Sequence, residues 1–297
     1  MRTYNYYQKN NVEIVVILGF FDCMHAGHIA LVEQGKSIAE SIKAEPAVFT
    51  YTNDINAVFG VSEGQILTYG ERLTKIEKLG INSVIYCDFD KNYASHSGEE
   101  FLDVLFENYK IKAIVCGYDY TYGKDAGCGV RDLQEYCGRR NVPCIAESEV
   151  KIDGVRVSTT LIKKCLSDGN IEYANKLLVY PYFILGKVIE GRKDGRKIGF
   201  PTANVLLPND KFRIKRGVYK TRVVVDGKSY AAITNFGTQP TFGSDKLVIE
   251  SHLKDFDSDI YGFEILIIFE DYIRDIYMFS DIDDLKKQLK KDMETLR

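Results

Sequence analysis

What the 297-residue chain lacks already narrows its class. It has no excess of positive charge: 39 Lys and Arg face 42 Asp and Glu, a formal net charge of −3. Bulk attraction to nucleic acid or an anionic membrane is therefore not expected, and any phosphate chemistry must come from local sites. No apolar run approaches the ~18 residues of a membrane span. The stretch Ile14 to Leu18 is too short for a signal-peptide core. Seven cysteines, an odd number with no CxxC pair, read as reduced thiols of a cytosolic chain rather than a disulfide framework. Six prolines and 24 glycines exclude collagen-like or linker-dominated architectures. What is there is an ordinary globular composition, 45% hydrophobic and 27% charged, enough for about two domains.

Up to about residue 180, strand and helix signals alternate. Continuous apolar runs at Glu13–Leu18, Ala47–Tyr51, Ser83–Phe89, Ile111–Cys116 and Pro143–Glu147 read as buried strands. Between them, Ile29–Ile42, Glu71–Leu79, Glu99–Tyr109 and Val130–Arg139 carry helical spacing. Such alternation predicts a parallel sheet covered by helices, with ligands at the carboxyl ends of strands. Near Pro181 the pattern changes. Val218–Val225, the turn pair Asp226-Gly227 and Ser229–Thr234 predict a hairpin. Val248–Leu253 and Phe263–Phe269 add strands, and Asp281–Leu296 predicts an amphipathic helix capped by Asp281. The expectation is an α/β unit over 1–181, then over 182–297 a small antiparallel barrel closed by a helix.

Three pieces of the first half suit phosphate chemistry. The strand Glu13–Leu18 runs into GFFDCMHAGH (19–28), where His25 and His28 bracket Ala26-Gly27 at a helix start. Free N–H groups and partial positive charge there attract phosphates, and imidazoles add hydrogen-bond donors. The plainer reading is a capped helix with two surface histidines. Arg156, Thr159, Thr160 and Lys163 form a second piece, equally readable as an ordinary helix cap with flanking charge. The loop GYDYTYG (117–123), with Asp119, is the third; its aromatics can stack on a base or merely cover the core. In the second half, Gly195 to Asn204 (GRKIGFPTAN) is the most specific string. Gly195 and Gly199 permit close backbone approach, while Thr202 and Asn204 offer hard oxygen donors suited to Mg²⁺ with a triphosphate. Glu250, between β-branched residues of a strand, suits a general base for an attacking alcohol. Its plainer reading is a glutamate on the exposed face of a half-buried strand.

Together these strings resemble the bacterial bifunctional riboflavin kinase/FAD synthetase family over nearly the whole chain. The ordered matches include GFFDCMHAGH, ERLTKIEKLGI (71–81), SHSGEEF (95–101), GYDYTYG, VSTTLIK (157–163), PTAN (201–204), GVY (217–219), PTFG (240–243), ESHLKDFDSDIYG (250–262) and LKKQLKKD (285–292). The resemblance implies a nucleotidyltransferase-like FMN adenylyltransferase domain and a six-stranded riboflavin kinase barrel. It implies ATP and Mg²⁺, with riboflavin phosphorylated to FMN and FMN adenylated to FAD. It implies small-molecule partners (riboflavin, FMN and ATP), with no nucleic acid or membrane, and a cytoplasmic location.

By the same resemblance, Gly19, His25, His28, Asp119, Arg156, Thr159, Thr160 and Lys163 bind nucleotide or phosphate, with His28 also catalytic. Gly195 and Gly199 do so in the kinase half, Thr202 and Asn204 hold metal, Glu250 is the catalytic base, and Arg274 lies on the flavin side. The departures cluster in the first half. Phe20 and Cys23 replace the family's Asn and Gly, Thr50-YTNDI lacks its PHP, and Lys163 replaces an arginine, losing the bidentate fork. In the second half Ile276 stands where a glutamate is common. A kinase with a weakened or inactive adenylyltransferase is therefore the alternative.

Overall fold

A computed structural model describes residues 1–191, 195, 198–238, 247–279 and 281–296. The PTFG string and residues 192–194 and 196–197 lie outside them. The chain divides into two compact units, 1–159 and 160–297.

The first unit holds a six-stranded sheet: β1 (Arg2–Asn5), β2 (Glu13–Leu18), β3 (Glu45–Tyr51), β4 (Ser83–Cys87), β5 (Lys110–Gly117) and β6 (Cys144–Glu147). Every pairing is parallel, in the order β1-β4-β3-β2-β5-β6. The intervening helices are α1 (Ala26–Ser41), α2 (Tyr69–Lys78), α3 (Gly98–Asn108) and α4 (Val130–Arg139). Five strands and four helices stand where the hydrophobic periodicity predicts them. The edge strand β1 is the addition. Its residues are exposed or half-buried and polar, so no apolar run announces it; it forms because Arg2–Asn5 lies in register with Ser83–Tyr86.

Thr68 and Ser97 close capping boxes with Glu71 and Glu100, which fixes where α2 and α3 begin. Helix α1 packs on β2, β3 and β5. It does so closely: a Cβ at Gly35 would stand 2.4 Å from the Ile17 side chain. Buried Tyr6, Val16, Leu18, Phe49, Phe101 and Ile114 belong to the core. A short hairpin, β7 (Lys151–Ile152) with β8 (Val155–Arg156), leads to α5 (Thr159–Asp168).

The second unit contains α6 (Ile171–Leu178) and a closed antiparallel barrel. Its strands are β9 (Phe183–Ile189), β10 (Ala203–Leu206), β11 (Gly217–Val225), β12 (Lys228–Thr238), β13 (Leu247–Leu253) and β14 (Glu264–Arg274), ordered β10-β13-β12-β11-β14-β9 around the barrel. Asp226 and Gly227, both at positive φ, make the predicted two-residue turn between β11 and β12. Tyr182, Val205, Tyr219, Phe236, Ile267 and Phe269 are among its buried residues. Asn175 of α6 ties the barrel entry down, accepting from the Tyr182 N–H at 2.7 Å and donating to the Phe269 carbonyl at 2.9 Å. Helix α7 (Ile282–Glu294) begins at the predicted cap, with the Asp281 carboxylate accepting from the Asp283 N–H.

Candidate active sites

In the parallel sheet, β2 is flanked by β3 on one side and β5 on the other. The strand order runs outward in opposite senses from there, with all strands parallel, leaving a crevice at the carboxyl ends of β2 and β5. Leu18 and Cys116 are in register, so the loops that begin at Gly19 and Gly117 leave the sheet side by side. His25 and His28 come from the first loop and Asp119 from the second.

His25 is the N-cap of α1, and its Nδ1 accepts from the His28 backbone N–H at 3.1 Å. The neutral ring therefore carries its proton on Nε2, as a donor. The His25 and His28 rings stack, with centroids 3.8 Å apart and planes within 3°. Burial, helped by the nearby Arg156 charge and opposed by its own backbone contact and Asp119, brings the His25 imidazole down to about 4. Burial, then the neighbouring His25 and the positive charge of Arg72, hold His28 well below the usual histidine range. Both rings are neutral donors at physiological pH. The His28 Nδ1 is buried with no hydrogen-bond partner among the described residues.

Around this pair, Arg156 donates to the Asp119 carboxylate at 2.5 Å and lies over the Tyr118 ring. Both partners are about half exposed, at 47% and 52%. Such a pair contributes only about 0–1 kcal/mol, so the guanidinium can turn to a stronger anion at little cost. Thr159 and Thr160 are the first two residues of α5, and the Thr159 hydroxyl lies 3.2 Å from the Cys23 thiol. Lys163 belongs to the second unit, where its ammonium sits over the Phe212 ring. A Cβ at Gly19 would press to 2.8 Å from the Phe21 ring.

Sequence reading missed what holds this loop. Arg72 is fully buried and donates to the Phe20 carbonyl at 2.7 Å, to the Thr50 hydroxyl at 3.0 Å and to the Gln65 side chain at 2.6 Å. The Thr50 hydroxyl donates to the same Phe20 carbonyl. Asp22, also buried, accepts from the Ile66 N–H at 2.8 Å. These contacts hold Phe21 and Met24 at positive φ, where a non-glycine backbone is disfavoured. A charged residue in a helix reads as solvent-facing, so only the presence of Arg72 in the matched ERLTKIEKLGI string could have flagged it.

In the barrel, β13 runs between β10 and β12, and Glu250 is in register with Asn204 on one side and Asn235 on the other. The three side-chain-bearing positions thus form one row across three strands. The Asn235 amide donates to the Glu250 carboxylate at 3.2 Å. The amide oxygens of Asn204 and Asn235 are buried without hydrogen-bond partners among the described residues. An orphaned buried carbonyl oxygen is costly unless a ligand or ion satisfies it, and hard oxygens suit Mg²⁺. The residues present therefore fit that ion. A Cβ at Gly191 would meet the Asn204 amide at 2.6 Å, and one at Gly195 the Phe200 carbonyl at 2.3 Å. Gly199 has φ +86°. The turn from Gly195 into Thr202 thus depends on glycine. Asn235 was not among the predicted site residues, because only strand register brings it to Glu250. Arg274 holds Asp292 of α7 in a forked ion pair, with nitrogen–oxygen distances of 2.6, 3.1 and 3.2 Å.

An open parallel sheet with stacked histidines at its switch point, joined to a closed barrel with an asparagine–glutamate–asparagine row, defines a two-centre, nucleotide-using transferase. A model of FAD synthetase matches residues 7–161, and one of riboflavin kinase matches residues 178–297. The chain belongs to the bifunctional riboflavin kinase/FAD synthetase family. It is 34% identical over 292 residues to the bifunctional riboflavin kinase/FMN adenylyltransferase of Listeria monocytogenes, covering 97% of this chain and 92% of that protein. It is 34% identical over 297 residues to that of Bacillus subtilis, with the same coverage. A crystal structure of a Streptococcus pneumoniae protein described as a macrolide-efflux protein superposes with a TM-score of 0.88. It is 30% identical, and the match covers 99% of this chain and 98% of that one. Among the described residues of the present chain, no helix is long and apolar enough to cross a membrane.

Proposed function

We propose how the two units of this bifunctional enzyme divide its work, on one observation in each: a stacked pair of neutral imidazoles at a helix N-terminus in one, and the Asn204–Glu250–Asn235 row in the other. The barrel phosphorylates riboflavin. The primary alcohol of the ribityl chain attacks the γ-phosphorus of ATP, an O–P bond forms, the bond to the β-phosphate oxygen breaks, and ADP leaves. Glu250 takes the alcohol proton, and Asn235 orients its carboxylate. Thr202 and Asn204 would hold Mg²⁺, which would supply neutralisation of charge on the transferring phosphates. Gly195 and Gly199 let the backbone approach the nucleotide. Arg274, through Asp292, positions the flavin-side segment that follows β14.

The first unit adenylates FMN. A phosphate oxygen of FMN attacks the α-phosphorus of a second ATP, and pyrophosphate leaves. The attacking group is already an anion, so no side-chain base is required; positioning and charge stabilisation suffice. Nε2 of His25, the His28 ring and the N-terminus of α1 meet the growing charge. Arg156 turns from Asp119 to the phosphates, Thr159 adds a contact, and Gly19 leaves room for the nucleotide. The protein works in the cytoplasm, a reading supported by seven cysteines of which none is disulfide-bonded. No observation favours the alternative of an inactive adenylyltransferase.

One incubation with riboflavin, ATP and Mg²⁺, its products separated by chromatography, tests the pair: FMN should appear first and FAD after it. FMN without FAD would overturn the adenylation reading. The activities divide near 181/182. A fragment from Tyr182 should still make FMN, though it lacks the Asn175 contacts to Tyr182 and Phe269 and should melt below a fragment from Thr160. A folded but inert fragment from Tyr182 would move the boundary toward Thr160.

A further inference from the structure

Cys23 stands where the family's loop has glycine, and it changes what that loop can hold. One ligand atom each from Cys23, His25 and His28 lie within 4.8 Å of one another. A zinc ion about 2.3 Å from sulfur and about 2.0 Å from nitrogen needs donors roughly 3.3–3.6 Å apart with both ring planes directed at it. Closing the set therefore requires the His25 and His28 rings to turn out of their parallel 3.8 Å stack. Two features beyond the spacing point to a ligand. The His28 Nδ1 is buried without a hydrogen-bond partner among the described residues. The His25 Nδ1 is occupied by a backbone N–H, which leaves its Nε2 available. Cys23 and His25 are buried and His28 is half-buried.

We propose that Cys23, His25 and His28 form a three-ligand site for Zn²⁺ or a similar borderline-soft divalent ion, and that its occupancy stops adenylyl transfer. Thiolate with two imidazoles selects such ions over Mg²⁺, which prefers oxygen donors. Binding releases the thiol proton, and the fourth position is left to water or a phosphate oxygen. The imidazoles then hold metal instead of the α-phosphate. This second half rests on the proposed adenylation role of the two histidines; the first half does not.

The binding half is tested on the reduced full-length chain with Co²⁺ as the probe. One equivalent should produce a thiolate-to-cobalt charge-transfer band that Zn²⁺ removes. Cys23→Ser, which keeps the volume and a hydroxyl partner for Thr159, should abolish the band and weaken Zn²⁺ binding roughly 100-fold or more. Cys23→Ala serves as the second variant should the serine disturb folding. No band in the folded chain, or an equal band in both variants, overturns the site, the latter by placing the thiolate at another cysteine. For the inhibitory half, Zn²⁺ in slight excess over enzyme, with Mg-ATP abundant, should slow FMN-to-FAD conversion at least 10-fold. Riboflavin phosphorylation in the same tube should continue, and Cys23→Ser should relieve the inhibition. Zinc bound with FAD formation unaffected overturns the inhibitory half. A metal-free chain that makes no FAD counts against the adenylation reading instead, and leaves the cobalt result to decide the site.

Discussion

Replacing Glu250 by glutamine removes a proton acceptor while changing almost nothing else. The side chain keeps its length, and its amide oxygen can still accept from the Asn235 amide, now at 3.2 Å from the carboxylate. Its strand neighbours Asn204 and Asn235 stay in register through backbone hydrogen bonds that the substitution does not touch. Nucleotide binding should therefore be close to normal. What is lost is acceptance of the alcohol proton as the bond to the γ-phosphate forms. Positioned general bases contribute about 10²–10⁴-fold, or ~3–5 kcal/mol of barrier. The share falls inside that range because proton transfer comes late in a loose transition state. Steady-state phosphorylation of riboflavin should thus lose about 10²–10⁴ in kcat with KM for both substrates within a few-fold. FAD formation from supplied FMN is the internal control and should be unchanged. Kinase turnover within a few-fold of the parent, in a folded protein, would refute the reasoning and assign Glu250 to the exposed face of its strand.

His28→Ala should cut FAD formation from FMN about 100-fold or more, the usual cost of one preorganised donor, while FMN formation persists; an unchanged rate would reduce the loop to a helix cap. The depressed His25 imidazole makes stability pH-dependent. The unfolded ring binds a proton near 6.5 and the folded one only near 4, so stability is full above 6.5 and falls as pH drops toward 4. His25 alone accounts for up to ~3 kcal/mol of that loss, and urea midpoints measured for the parent and His25→Gln between pH 4 and 7 should converge toward the acid end. Arg274→Ala strands Asp292, which is 1% exposed, without its ion partner. Chemical denaturation should report a loss of about 3–5 kcal/mol, and a loss below about 1 kcal/mol would show that α7 is held mainly by its apolar face.

The sequence by itself carried everything that short-range physics controls. Continuous apolar runs and period-3.6 hydrophobicity located five sheet strands and four helices of the first unit, because burial of a strand or of a helix face is written over a few consecutive residues. Asp226-Gly227 announced a hairpin because a two-residue turn needs positive φ at both positions. Asp281 announced a cap because its carboxylate reaches an N–H two residues on. The loop from Gly19 to His28 was legible as a phosphate site for the same reason: strand, turn and helix start are contiguous in the chain.

Tertiary structure decided what depends on partners distant in sequence. Strand order put Gly117 beside Gly19 and so brought Asp119 to the histidine loop. Register put Asn235 and Asn204 on either side of Glu250, from segments separated by some thirty residues that no local pattern relates. Burial of Arg72 follows from three acceptors that the chain supplies at positions 20, 50 and 65. Cys23, in sequence only a substituted glycine, became a candidate ligand when the loop brought it within 4.8 Å of both imidazoles. Side-chain chemistry is written in the residue types, but the distances that make it act are set by the sheet and the barrel.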